Sequence, residues 1–287
     1  MIMPSSSLVG RTIEQELLVN DRRGVSELLP HLSADFVERA AAVVLQTAGT
    51  VLIVTGFYVN GSAETDGPPG AIAIGNALQR LGRPVAYVTD GYAAHLLRAL
   101  VGEATPVIEV AIQDHEASRA ACLRVLHETS AGLVIAVERC GQTRDGRYLN
   151  MRGEDISSHT AKLDYLFNGV PSIGIGDGGN EIGMGTVHEA VRQSERLVRE
   201  PTVTAVDELV IASVSNWGAY GLVAAMSRQC GQDLLPTAEE AQSAIIRIVD
   251  LGAVDGISGS AQYSVDGFTL DDSMQLLERL RAIVLQR

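Results

Sequence analysis

Residues 171–185 read PSIGIGDGGNEIGMG, and this stretch decides the fold class because a short apolar run leads directly into glycines and carboxylates. The run 172–175 predicts a buried strand, and the apolar spacing after residue 180 predicts a helix that extends to residue 192. A strand followed by a helix is the repeating unit of an α/β fold. We therefore expect residues 177–181 to lie at a strand-to-helix junction.

The same alternation continues on both sides of this junction. Apolar, β-branched runs predict strands that are buried on both faces, at 51–55, 84–89, 106–112, 133–137, 172–175 and 209–212. Helical spacing predicts helices at 34–47, 70–81, 92–101, 115–128, 180–192, 217–230, 238–251 and 270–285. Strands that alternate with helices run parallel and are joined by right-handed crossovers. The sequence thus predicts a three-layer, doubly wound, mostly parallel Rossmann-like α/β sheet, built as one domain over residues 1–287.

The composition limits the class of protein. Hydrophobic residues make up 46% of the 287 residues, which is enough to bury a sizeable core. The formal net charge of −13 argues against a nucleic-acid surface. The three cysteines are widely spaced, and residues 1–10 lack the pattern of a secretion signal. No apolar run approaches the roughly 20 residues that span a bilayer. We expect a soluble, cytoplasmic protein without nucleic-acid or membrane partners; the composition leaves its oligomeric state open.

Two connections are unusually long. Loops 56–69 and 139–162 far exceed the median of about 4–6 residues, and long loops inside compact domains are usually functional. Both follow predicted strands, and loops at the carboxyl ends of parallel strands gather at one sheet edge, where ligands bind. Four polar clusters should meet at that edge, at 64–70, 138–141, 177–181 and 215–218.

The glycine-rich stretch allows three interpretations. Residues 174–179 match G-x-G-x-x-G, which indicates a dinucleotide site, but the next strand ends too late for the acidic residue expected about 20 positions on. A tight turn that packs a helix against a strand would use glycine in the same way. A ligand site is favoured by Asp177 and Glu181, because carboxylates four residues apart near a helix start can face one cavity.

The other polar clusters also have structural alternatives. Asp66 can cap the helix that begins near residue 68, although its long loop at the sheet edge favours a role in a site. Glu138 ends an apolar strand, either as a buried partner of Arg139 or as a site carboxylate. Asn216 is either a helix cap or a ligand donor.

Together these motifs resemble the D-glutamate cyclase family. The resemblance extends from about residue 13 to past residue 221 and rests on residues 55–57, 64–71, 138–139, 145–146, 150, 176–185 and 215–218. Cys140 and residues 151–153 depart from the family pattern. The resemblance implies conversion of D-glutamate to 5-oxo-D-proline and water. The alternatives are a noncatalytic amino-acid sensor that uses the same pocket and, less favoured, a nucleotide-dependent enzyme.

The implied reaction assigns roles to the polar residues. Ring closure requires a base for the α-amine and an acid for the departing hydroxide, and two carboxylates in different environments can supply both. Asp177 and Glu181 are the candidates, with Glu138 or Asp66 as the second member if that pair is structural. Asn180 would donate to the developing oxyanion.

The substrate carboxylates need positive partners. The backbone N–H groups of Gly178 and Gly179 at a helix N-terminus, together with Arg139, are suited to this role. The remaining members of the expected substrate-binding set are Thr55, Gly56, Asp66 and Asn216.

A cofactor is not required by the sequence. The acidic residues of the motifs nevertheless outnumber the obvious cations, which leaves room for a divalent metal that bridges protein and substrate carboxylates. Hard oxygen ligands favour magnesium, manganese or calcium. The candidate ligands are Asp66, Glu138, Asp177 and Glu181.

Overall fold

The computed structural model describes residues 11–286 and shows a central sheet of six strands. In chain order the strands are β1 (Thr50–Thr55), β2 (Val85–Thr89), β3 (Val107–Glu109), β4 (Ala131–Val137), β5 (Ser172–Gly176) and β6 (Glu208–Ile211). They lie side by side as β3-β2-β1-β4-β5-β6, which is the order of a doubly wound Rossmann sheet. Every neighbouring pair in this sheet is parallel. The predicted fold class is confirmed.

Helices cover both faces of the sheet. They are α1 (Ile13–Leu17), α2 (Phe36–Gln46), α3 (Pro68–Arg80), α4 (Gly91–Leu100), α5 (His115–Thr129), α6 (His188–Gln193), α7 (Ser215–Cys230), α8 (Ala238–Asp250) and α9 (Leu270–Leu285). Successive strand side chains point to opposite faces. Val51 and Ile53 of β1 therefore pack with α2, α3 and α7, whereas Leu52 and Val54 pack with α5.

Helix α7 crosses the core beneath the candidate site. Its residues from Ser215 to Ser227 are all buried, and a helix surrounded by protein needs apolar or small residues on every side. The Trp217 indole nitrogen donates a hydrogen bond to the Ser273 hydroxyl on α9 (3.1 Å). The first turn of α7 is thereby held at the carboxyl edge of the sheet. Within residues 11–286, no helix combines the length and apolarity that a membrane span requires.

The segment before α2 contains elements that the sequence patterns did not predict. Helix α1 starts at a capping box formed by Thr12 and Gln15, and a 3-10 helix follows at Val25–His31. The turn between them is held by Asp21, whose carboxylate accepts hydrogen bonds from the backbone N–H groups of Gly24 (2.6 Å) and Ser26 (2.9 Å). Residues 1–10, where the sequence showed no secretion signal, lie outside the described residues.

The predicted helix 180–192 is wrong in its first half. Residues 180–184 are irregular, a 3-10 turn spans Gly185–Val187, and only α6 (His188–Gln193) is α-helical. The backbone of this stretch is bound to other loops: the Ile182 N–H donates to the Arg139 carbonyl (2.7 Å), and the Gly183 N–H donates to the Thr204 carbonyl (2.9 Å). These bonds replace the bonds that a helix would make.

The predicted strand 106–112 is shorter in the structure. β3 pairs with β2 only through Tyr87, Val88 and Thr89, after which β2 ends. An edge strand has no partner on its other side, so its length is limited by this one neighbour.

Gly183 is closely packed within the glycine-rich stretch. Its φ is +109°, and a Cβ at this position would lie 2.7 Å from the Gly174 Cα of β5. The backbone at Gly183 is thus approached closely by β5. At Gly153, φ is +77° but no atom lies within 4 Å of such a Cβ.

These two glycines give a matched stability test. We expect Gly153→Ala to lower the free energy of unfolding by about 1–2 kcal/mol, because alanine is strained in a left-handed backbone conformation. Gly183→Ala should lower it by about 1–3 kcal/mol more, because its Cβ would also overpack the core. Urea unfolding of both variants measures the difference. Equal losses would show that the backbone conformation alone requires glycine at position 183.

Candidate active site

The candidate site lies where the strand order reverses between β1 and β4. β1 ends at Thr55, which is in register with Val137 of β4, and Val137 is in register with Ile175 of β5. Glu138 and Asp177 therefore follow neighbouring strands at the same edge. Ligands of open α/β sheets bind at this switch point.

A small cavity of about 90 Å³ opens at this edge. Loop 56–69 contributes Tyr58 and Val59 to its wall, and loop 139–162 contributes Met151 and Arg152. The cavity volume is well below the roughly 300–1,000 Å³ of pockets for drug-sized ligands. A cavity of this size suits a small metabolite. The charged and carboxamide side chains of the wall are Arg23, Asn60, Glu64, Glu138, Asn150, Arg152, Glu154, Asn180 and Glu181.

Asp66 is fixed by backbone groups. Its carboxylate accepts hydrogen bonds from the N–H groups of Gly67 (2.9 Å), Ser215 (2.8 Å) and Asn216 (2.7 Å). The residue therefore binds the start of α7 rather than capping α3. Burial, reinforced by the negative charge of Asp266 and opposed by these N–H groups, raises the pKa of Asp66 to about 8.

Glu138 has an unusual backbone conformation. Its φ is +46°, a left-handed conformation that residues other than glycine seldom adopt, and such strain is concentrated at functional sites. Its Oε2 accepts a hydrogen bond from the Ser215 hydroxyl (2.6 Å). Burial and the negative charges of Asp177 and Glu181 hold the pKa of Glu138 well above its usual range.

Asp177 and Glu181 do not share a helix face, because no helix begins between them. Glu181 lies in the cavity wall, and its Oε2 accepts the N–H of Gly179 (2.8 Å). Asp177 is fully buried and forms an ion pair with Arg23. Burial raises the pKa of both carboxyls, with Arg23 opposing the shift at Asp177 and the Gly179 N–H opposing it at Glu181. Asp177 and Glu181 both lie at this edge of the sheet, but only Glu181 lines the cavity.

Arg23 is a site residue that the sequence reasoning missed. Its guanidinium pairs with Asp177 and, through Nη2, with Asp266 (2.8 Å), and it lines the cavity. Asp266 is a further buried carboxylate that was missed, and Glu64 belongs to the predicted cluster 64–70 but was given no role. The available signals were turn sequences: Arg23 precedes Gly24, and Asp266 precedes Gly267.

Arg139 does not have the predicted role. It is 1% exposed, and its guanidinium donates to the carbonyls of Gly56 (2.7 Å) and Ala161 (2.6 Å) and pairs with Asp90 (2.8 Å). Because these partners join both long loops to the sheet, Arg139 is structural. Its predicted contact with substrate carboxylates is corrected: the cations of the cavity wall are Arg23 and Arg152.

The backbone donors predicted at a helix N-terminus are also corrected. Gly178 and Gly179 precede an irregular segment, and the Gly179 N–H binds the Glu181 carboxylate instead of an open position. A Cβ at Gly178 would lie 2.9 Å from Glu181 Oε1, so this glycine also packs against that side chain. Both glycines therefore help to fix the position of the Glu181 carboxylate.

Three further residues of the predicted binding set support the wall without forming it. The Asn216 carboxamide oxygen accepts the N–H groups of Gly67 (3.0 Å) and Gly70 (2.7 Å), and its nitrogen binds the Thr65 carbonyl (3.1 Å). The Gly56 carbonyl is bound by Arg139, and Thr55 is fully buried. Asn180, by contrast, lies in the cavity wall.

A family model and a curated relative agree with these motifs. A family model described as D-glutamate cyclase-like, C-terminal, matches residues 13–281. The human protein named D-glutamate cyclase, mitochondrial, is 38% identical over 211 residues, which cover 65% of this chain and 34% of the human protein. The match therefore spans about a third of that curated relative. A crystal structure of an exopolyphosphatase-related protein from Bacteroides fragilis aligns with a TM-score of 0.45 and 7% identity, covering 88% of this chain and 57% of the other. From the family match, this chain belongs to the D-glutamate cyclase-like family.

Proposed function

We propose that this protein is a hydro-lyase that converts D-glutamate to 5-oxo-D-proline and water. The observation that carries the proposal is the mixed charge of the small cavity, whose wall contains Glu138 and Glu181 beside Arg23 and Arg152. Free glutamate has an ammonium group for the carboxylates and two carboxylates for the guanidinium groups. Membership of the D-glutamate cyclase-like family supports this reaction and this stereochemistry.

In this proposal Glu181 transfers the protons. Ring closure forms a bond between the α-nitrogen and the γ-carboxyl carbon, breaks one carbon–oxygen bond, and moves two protons from nitrogen to the departing oxygen. A single carboxylate can accept each proton and deliver it, so the oxygen leaves as water. Burial raises the pKa of Glu181, which makes it a stronger base toward the ammonium group.

The neighbouring polar residues bind and orient the substrate. The Asn180 side-chain nitrogen donates one hydrogen to the Leu149 carbonyl (3.0 Å) and has a second for an oxyanion. Arg152 is exposed at the cavity and would bind one substrate carboxylate. Arg23, held by Asp177 and Asp266, would bind the other.

A nucleotide-dependent reaction has weaker support. The fingerprint-like residues 174–179 begin within β5, and no helix begins directly after them to present free N–H groups to a pyrophosphate. We also propose a cytoplasmic location, because Cys122, Cys140 and Cys230 are free thiols. The human relative is named as mitochondrial.

Turnover tests the proposed function. We expect purified protein to consume D-glutamate and release an equal amount of 5-oxo-D-proline, followed by chiral chromatography, at a rate well above an enzyme-free control. L-glutamate in the same assay is the stereochemical control. Binding of D-glutamate without product would contradict the proposal and favour a noncatalytic sensor.

A further inference from the structure

Three buried carboxylates converge from separate parts of the chain at the sheet edge. Asp66, Glu138 and Asp177 each offer an oxygen, and these oxygens lie within 4.8 Å of one another. Oxygens that bind one calcium ion at 2.3–2.6 Å are at most about 5 Å apart, and magnesium requires a slightly closer set. The spacing therefore suits a shared cation.

Two polar atoms at this cluster lack partners among the described residues. Asp177 uses Oδ1 for Arg23, while its fully buried Oδ2 accepts no hydrogen bond. The Thr55 hydroxyl, also fully buried, has no partner either. The Thr55 hydroxyl lies beside the three carboxylates, which we call the trio. A Cβ at Gly67 would be 2.6 Å from Thr55 Oγ1 and 2.9 Å from Glu138 Cβ. Buried oxygens are seldom left unsatisfied without a functional reason.

The buried carboxyl groups around the cluster also outnumber the cations that pair with them. Glu64, Glu181 and Asp266 are buried nearby, and the Coulombic partners of Glu138 are mainly other carboxylates. Arg23 is shared between Asp177 and Asp266. Removing several carboxylates from water is costly unless cations pair with them, and one guanidinium offsets only one of these charges.

We propose that Asp66, Glu138 and Asp177 bind a hard divalent cation of the magnesium, manganese and calcium class. The ligands are all oxygens, which is the preference of this class. Glu138 belongs to both the trio and the cavity wall, so the cation site adjoins the substrate cavity. Binding of the cation is independent of the proposed reaction, whereas its use in catalysis depends on that reaction.

Direct binding to metal-free protein tests the site. After treatment with chelator and dialysis, the protein is titrated separately with Mn²⁺, Mg²⁺ and Ca²⁺ by calorimetry, and its melting temperature is measured with and without each ion. We expect one ion per chain and, at a hundredfold excess over Kd, a rise in Tm of about 5 °C. No binding and no rise in Tm with any of the three ions at millimolar concentration would overturn the proposal.

Substitutions that each remove one carboxylate charge test which residues bind the cation. We expect Glu138→Gln and Asp177→Asn each to weaken binding at least tenfold and to abolish the rise in Tm. Glu64→Gln removes the same charge from a buried carboxylate of the cavity wall outside the trio, and it should weaken binding clearly less than either substitution within the trio. Equal weakening by all three substitutions would indicate only a diffuse field and would overturn the assignment. The melting temperature without metal confirms that each variant is folded.

Activity separates this proposal from the proposed function. Metal binding without 5-oxoproline formation would leave the cation site standing and remove the cyclase. Full turnover by metal-free protein that binds none of the ions would support the cyclase and remove the cation site.

Discussion

Replacing Glu181 with glutamine is expected to lower kcat for D-glutamate by about 10² to 10⁴, the usual contribution of a general acid or base. Glutamine keeps an oxygen that can accept the Gly179 N–H bond, so the loop should retain its shape. The variant loses only the ability to exchange a proton. Initial rates measured by chiral chromatography, together with the melting temperature, separate lost chemistry from lost structure.

A surface glutamate provides the control for this substitution. Glu189 is 64% exposed and pairs with Arg144 and Arg192 at the surface, with His188 Nε2 3.9 Å away, so Glu189→Gln should leave kcat within about twofold, since exposed pairs contribute little. Near-normal turnover of Glu181→Gln with a lowered Tm would assign Glu181 a structural role. The search for the proton-transfer group would then move to Glu138.

Replacing Arg23 with glutamine is expected to lower the free energy of unfolding by about 3–5 kcal/mol, the typical effect of removing one member of a buried ion pair. The substitution leaves Asp177 and Asp266 without their shared cation. Binding of the substrate should weaken as well, because a guanidinium is lost from the cavity wall. Urea unfolding measures the first effect, and KM for D-glutamate measures the second.

The adjacent arginine is a matched control for Arg23. Arg22 is exposed and stacks on Phe268, with its guanidinium carbon 3.7 Å from the ring centroid. We expect Arg22→Gln to cost only about 0.5–1 kcal/mol. In the double variant Arg23→Gln/Asp177→Asn, the loss should be smaller than the sum of the single losses, because one unpaired charge is gone. Additive losses would show that Arg23 and Asp177 do not stabilise each other.

Local patterns were sufficient for the sheet and for the general position of the site. Apolar runs such as Leu133 to Val137 are buried in the structure, and the alternation of strands and helices led to the observed parallel order. The long loops were expected at the carboxyl edge, and both line the cavity. These properties depend on spacing along the chain and on the handedness of crossovers.

The same reasoning failed where backbone bonds come from distant loops. The spacing after Asn180 is helical, but the Ile182 N–H binds the Arg139 carbonyl, and Gly183 packs against Gly174. Arg139 was likewise predicted, as a cation of the motifs, to bind the substrate carboxylates. Its actual partners, Gly56 and Ala161, lie in two separate loops.

The sequence by itself determined the α/β class, the family and which acidic motifs meet at the sheet edge, because these follow from local periodicity and from residues that are close in the chain. Only the tertiary structure decided the charge arrangement of the site. It brought Arg23 to Asp177 across 154 positions and gathered buried carboxylates around them. Such pairings depend on distances between segments that fold together, and spacing along the chain does not specify those distances.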